Sequence, residues 1–256
     1  MLSIILEAGR GAGKSTLAKL LAKKLGWDVY LEPASAEDGE INPYLQDYLK
    51  DPKRWAMEMQ MYLLGRRSFL ARAAHEKMVR TGRPYIMDRS AFGDTCFAEV
   101  NREIGNIDER GMAAYEYLRD GILKDFTQIP TFSIFLDCDI NILLERSGIR
   151  GRAGEEVYQG NRDYFERLNK KLASLKGKLA NAGSYVISLD WNTSYNFKNE
   201  ADQDRAVTRV LEELHGYKRF LIGWEGFKHQ VPGYGAEYKE PMFDTSIFQS
   251  TPTPYG

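Results

Sequence analysis

The sequence predicts a three-layer α/β fold with a five-stranded parallel sheet, and three observations carry that prediction. Short apolar runs recur at residues 2–6, 27–31, 84–88, 131–137 and 185–190. Stretches with helical periodicity lie between them, the alternation that builds a parallel sheet covered by helices on both faces. The first run enters a glycine-rich turn and then a helix without a break, through Gly9-Arg10-Gly11-Ala12-Gly13-Lys14-Ser15-Thr16.

That turn is the first element with a chemical reading. Small residues let successive backbone N–H groups converge on an anion at the start of a helix, where the dipole adds partial positive charge. The pattern G-x-x-x-x-G-K-[ST] is met except at its first glycine, where Ala8 stands, and Gly9 is expected to take the tight turn. Gly9, Gly11, Ala12, Gly13, Lys14, Ser15 and Thr16 are then the phosphate cradle. Lys14 reaches the β- and γ-phosphates of a nucleotide, and the Ser15 hydroxyl ligates Mg2+. A dinucleotide-binding G-x-G-x-x-G does not fit, because Gly11 and Gly13 are followed by Thr16 at the last position.

The composition excludes several classes. Lys and Arg number 35 against 36 Asp and Glu, which argues against a protein that coats nucleic acid or an anionic membrane. No apolar run approaches the roughly 18 residues of a membrane span. The N-terminal apolar run is expected not to be a leader, since it passes directly into the phosphate loop. Cys96 and Cys138 provide no disulfide framework and fit free thiols in a reducing cytoplasm.

Along the chain, the second strand ends at Glu32 and Pro33. A carboxylate there is well placed for chemistry, because ligands of open α/β sheets bind beyond the carboxyl ends of the strands; a solvated turn residue is the plain alternative. Residues 34–46 read as a polar loop. Asp51 and Pro52 start a helix with proline in its first turn. Trp55, Met59 and Tyr62 form its core stripe, whereas Gln60, Arg66 and Arg67 do not suit a core. Gln60 and Arg67 are seven residues apart and project from one face. The third strand ends in Asp88-Arg89-Ser90, and Asp88 is the expected second anchor for Mg2+. Residues 91–126 read as helical. After the fourth strand a helix runs into Arg146, Arg150 and Arg152, which read as a lid closing over the nucleotide. A charged helix at 164–179, the fifth strand and a closing helix at 206–215 follow. Residues 217–256, rich in Gly, Pro, Tyr and Phe, are expected to carry little regular structure.

Taken in order, Glu7 to Thr16, Glu32-Pro33, Asp51 to Gln60, Asp88-Arg89-Ser90 and Arg146 to Arg152 resemble the deoxynucleoside kinases of the deoxycytidine, deoxyguanosine and deoxyadenosine kinase type. The resemblance covers about residues 1–216 and implies a P-loop kinase fold with an arginine-rich lid at about 146–160. It implies ATP as phosphoryl donor, Mg2+ as cofactor, a deoxynucleoside acceptor, a homodimer and a cytoplasmic location. Glu32 is then the general base on the 5′-hydroxyl. Arg89 orients Glu32 and contacts phosphate. Gln60, Arg67 and Asp94 read the base edge, Arg146, Arg150 and Arg152 form the lid, and Glu155 or Glu156 binds the sugar 3′-hydroxyl. The tyrosine expected on the sugar is displaced by one residue, with Leu49 at its position and Tyr48 beside it. The Arg67 and Asp94 pair leans away from thymidine. The tail at 217–256 lies outside the pattern and resembles extensions of phage enzymes, for which the location is the host cytoplasm.

Two other readings compete. A kinase of nucleoside monophosphates or of a modified nucleotide needs a cationic acceptor pocket, where Glu32 would repel the acceptor phosphate. A non-catalytic nucleotide-binding subunit has no need of Lys14, Ser15, Glu32, Asp88 and Arg89 together.

Overall fold

The computed structural model describes residues 2–31, 42–126, 128–150, 162–193 and 195–228. In chain order the elements are β1 (Ser3–Ala8), α1 (Lys14–Leu25), β2 (Asp28–Tyr30), α2 (Leu45–Lys50), α3 (Pro52–Thr81) and β3 (Tyr85–Asp88). They continue with α4 (Ala91–Glu103), α5 (Glu109–Phe126), β4 (Phe132–Asp137), α6 (Ile140–Arg150), α7 (Arg162–Asn181), β5 (Tyr185–Asp190) and α8 (Glu200–Lys228). The five strands form one sheet in the order β2-β3-β1-β4-β5, every pairing parallel.

The sequence dictates which strand is central. All six residues of β1 are buried, the polar Ser3 and Glu7 included, as a central strand with helices on both faces requires. Ile4 pairs with Ile86 on one side and Phe132 on the other, joining β1 to both neighbours. At the edge, β5 alternates instead: Ile187 and Leu189 are buried while Tyr185 stays exposed. On α3, Asp51 caps the helix by accepting from Arg54 N at 3.1 Å, and Pro52 follows in the first turn.

Three expectations are corrected. The loop expected at 34–46, of which 34–41 lie outside the described residues, gives way at Leu45 to the six-residue helix α2, too short to show a period, which buries Tyr48 and Leu49. The helical reading of 91–126 is two helices. Asn106 N and Ile107 N bond back to Asn101 O at 2.8 and 3.2 Å, and Asp108 restarts the chain by accepting from Gly111 N at 2.7 Å. The closing helix is longer at both ends, so the part of the expected irregular extension at 217–228 is helical. Residues 229–256 lie outside the described residues.

Candidate active site

The phosphate loop hangs between the end of β1 and α1. Gly11 and Gly13 have φ of 84° and 86°, and these are the positions where the turn needs glycine. Gly9 does not take the tight turn; its constraint is space, since a Cβ there would lie 2.7 Å from Leu143 Cδ1. Ala8 is tolerated because it is still strand, paired with Leu136 and without positive φ. The outer wall is a segment that pattern reading passed over. Trp191, fully buried, donates Nε1–H to Ala12 O at 3.0 Å, Tyr195 lies 4.7 Å from its ring, and Phe197 packs on Gly13. Thr16 is exposed on the first turn of α1.

Because β3 is paired beside β1, with Leu6 opposite Asp88, the end of β3 meets the loop. Ser15 Oγ donates to Asp88 Oδ2, and Lys14 Nζ stands 4.0 Å from Asp88 Oδ1. Asp88 is buried, and its Oδ1 makes no hydrogen bond among the described residues. A buried carboxylate oxygen without a hydrogen-bond donor among the described residues, next to a hydroxyl, belongs to a donor set suited to a hard divalent cation such as Mg2+.

The next residue is unusual. Arg89 has φ 70°, a conformation that strains a non-glycine residue by about 1–3 kcal/mol unless the surroundings hold it. Its guanidinium turns inward, donating to Ala8 O at 3.0 Å, pairing with Glu7 Oε2 at 3.3 Å and lying 4.2 Å above the Phe97 ring. The expected contact of Arg89 with Glu32 falls on a residue outside the described ones, and so does the base role of Glu32 itself.

The residues expected to read a base edge lie on α3 and α4 and are buried, Gln60, Arg67 and Asp94 at 3%, 2% and 0% exposure. Arg67 and Asp94 form an ion pair, and the Tyr115 hydroxyl donates to Asp94 Oδ2 at 2.9 Å. Burial pushes the Tyr115 hydroxyl up to about 12, so it stays a donor. Tyr115, on α5, carried no signal in the sequence. Gln60 Oε1 is buried without a hydrogen-bond partner among the described residues, an acceptor left over for a ligand.

Two expected site residues make contacts within the fold. Tyr48, expected on the sugar, is buried and donates to Asn101 Oδ1 at 3.1 Å, which fastens α2 to α4. Arg146, expected in the lid, is tethered to the segment after β5. It donates to Trp191 O at 3.3 Å and Thr193 O at 3.0 Å, with Cys138 Sγ at 3.5 Å. The Arg150 side chain, Arg152, Glu155 and Glu156 lie outside the described residues, so the lid and sugar ligand stay expectations. Burial raises Cys138 to about 11 and Cys96 to about 12, so neither thiol is a nucleophile at neutral pH.

A lysine and a serine opposite a buried aspartate, at the carboxyl ends of adjacent parallel strands, place the chain among P-loop phosphotransferases. The family model for deoxynucleoside kinase matches residues 4–215, and the chain belongs to that family of kinases. It is 34% identical over 189 residues to a deoxyguanosine kinase of Dictyostelium discoideum, covering 74% of this chain and 64% of that one. A deoxyadenosine/deoxycytidine kinase of Bacillus subtilis is 33% identical over 172 residues, 66% of this chain and 74% of the relative. The structure of deoxyadenosine kinase from M. mycoides with bound dATP superposes with a TM-score of 0.66 at 25% identity, over 84% of this chain and all of that one. The fold and enzyme class expected from the sequence are thereby borne out, with a nucleoside triphosphate as donor. Among the described residues no helix is long and apolar enough to cross a membrane.

Proposed function

We propose that the chain transfers the γ-phosphoryl group of ATP to the 5′-hydroxyl of a deoxyribonucleoside, a purine deoxynucleoside or deoxycytidine in preference to thymidine, giving the monophosphate. The observation that most supports this reading is the Asp88 carboxylate fastened by Ser15 and facing Lys14 at the mouth of the glycine loop. Lys14 offsets negative charge on the β- and γ-phosphates, and the loop amides orient them. Asp88 and Ser15 hold Mg2+, which when bound neutralises charge on the phosphate oxygens. A primary hydroxyl is a weak nucleophile, so Glu32 takes its proton as general base, an effect typically worth ~10²–10⁴-fold. The Gln60 oxygen, without a hydrogen-bond partner among the described residues, and its amide protons give one acceptor and a donor for a base edge, a match for cytosine or a purine. The named activities of the relatives support the same preference. Arg146, Arg150 and Arg152 serve as the lid and Glu155 or Glu156 as the sugar ligand. The family likeness supports a homodimer and a cytoplasmic location.

Coupled ADP-release assays with the four deoxynucleosides and their monophosphates test the reading. Turnover of monophosphates but not nucleosides replaces it with a monophosphate kinase, and no turnover replaces it with a nucleotide-binding subunit. Glu32→Gln is expected to lower kcat by at least ~10²-fold with little change in ATP affinity. An unchanged kcat removes Glu32 from the mechanism.

A further inference from the structure

Glu7 is a charged residue in the middle of the sheet to which nucleotide binding assigns no task. It is fully buried on β1. A buried ion pair is weak grounds for stability, since an apolar pair of similar volume often serves as well or better. Its geometry is directed elsewhere. Oε1 accepts from Ser90 N at 2.9 Å and from Ser90 Oγ at 2.7 Å, while Oε2 faces Arg89 Nη1 at 3.3 Å. Ser90 Oγ in turn accepts from Gly93 N at 3.0 Å and so caps α4. One carboxylate thus holds three groups of the β3–α4 corner, including the residue at φ 70° that directly follows Asp88. The space is kept open for it: a Cβ on Gly93 would lie 2.3 Å and 2.4 Å from the two Glu7 oxygens.

We propose that Glu7 is a positioning residue for phosphoryl transfer, fixing the β3–α4 corner so that Asp88 is aimed at Ser15 and Lys14. The inference rests on the reading that Asp88 and Ser15 hold the divalent cation. Glu7 is placed behind the site; it acts through the Arg89 guanidinium and through the backbone N–H and hydroxyl of Ser90. Groups that orient a metal ligand from behind typically govern affinity by 10–100-fold, so a loss of about 10-fold is expected when Glu7 is displaced.

Three variants test this. Glu7→Gln removes the negative charge that faces Arg89 while keeping the shape, and Gly93→Ala displaces the carboxylate without altering it. Asp88→Asn is the reference. Binding of Mn2+ with ADP, followed by electron paramagnetic resonance, reads the site without turnover; the Mg2+ dependence of kcat and the melting temperature are measured alongside. Glu7→Gln and Gly93→Ala are each expected to weaken Mn2+ binding by about 10-fold and raise the Mg2+ requirement equally, with KM for the nucleoside unchanged. Lower melting temperatures with wild-type metal binding would make Glu7 a packing residue and overturn the proposal. So would failure of both variants to fold, or failure of Glu7→Gln alone with unaltered metal binding in Gly93→Ala. If Asp88→Asn itself leaves metal binding unchanged, the metal assignment falls; if only the Glu7 and Gly93 variants do, the metal assignment stands and the positioning role falls.

Discussion

Asp94→Asn removes one charge from the buried ion pair that joins α3 to α4. Arg67 and Asp94 are 2% and 0% exposed, so water cannot solvate the guanidinium left behind. Breaking such a pair from one side costs about 3–5 kcal/mol. Asparagine keeps the shape and an oxygen for the Tyr115 hydroxyl, which places the expected loss near the lower end, about 3 kcal/mol. With a urea m-value of about 3 kcal/mol/M, the upper end for single domains, the unfolding midpoint drops by about 1 M. Urea titration followed by tryptophan fluorescence measures it, and the same protein assayed with each deoxynucleoside should lose discrimination among bases. The compensated variant Arg67→Met/Asp94→Leu is expected to regain most of the stability and none of the discrimination, because an apolar pair needs no solvation. A midpoint within about 0.2 M of wild type for Asp94→Asn would refute the claim that this pair is desolvated and mutually dependent.

Gly13→Ala meets two obstacles, a φ of 86° and a Cβ 2.7 Å from Phe197 Cε2, and should lose nucleotide affinity together with about 1–3 kcal/mol of stability. Adding Phe197→Ala relieves only the steric part; full recovery in the double variant, read by calorimetry, would show that the backbone angle is not the constraint. Trp191→Phe deletes the donor to Ala12 O and leaves a gap in a fully buried site, so the loop loosens: KM for ATP rises while KM for the nucleoside holds. Equal changes in both would place the effect on the whole fold. Glu103 is held below the usual carboxylate range, first by the hydrogen bond from Lys171 and then by Arg167. Its folded form therefore binds a proton less readily than the unfolded chain, and its share of stability is present above the ordinary value near 4.5 and is lost as pH falls through the lowered one. Melting temperature against pH should flatten in that window for Glu103→Gln; an unaltered slope would assign the acid sensitivity to other carboxylates.

Strands and phosphate loop were legible in the sequence because their signals are local. A buried parallel strand is a near-continuous apolar run, as in β4, and the edge strand β5, half-buried and alternating, is still recovered at its full length, Tyr185–Asp190. The loop is a fixed spacing of small residues before a lysine. The start of α3 is likewise local, an aspartate cap followed by proline. What the one-dimensional pattern missed are features without a period. The helix α2 has six residues, and the break between α4 and α5 rests on caps from Asn101 and Asp108 inside an otherwise helical stretch.

By itself, then, the order of residues determined the sheet, the anion cradle and the candidate set Lys14, Ser15, Asp88, Gln60, Arg67 and Asp94. Only the tertiary structure decided how those groups are spent. It turned Arg89 onto Glu7, a carboxylate 82 positions earlier in the chain, fixed Arg146 to the backbone of Trp191 and Thr193, and gave Asp94 its second partner in Tyr115. The physical reason is the same in each case. A buried charge or hydroxyl must find its partner wherever the packed elements bring one within hydrogen-bond reach, and that distance is set by how strands and helices stack, which no spacing along the chain records.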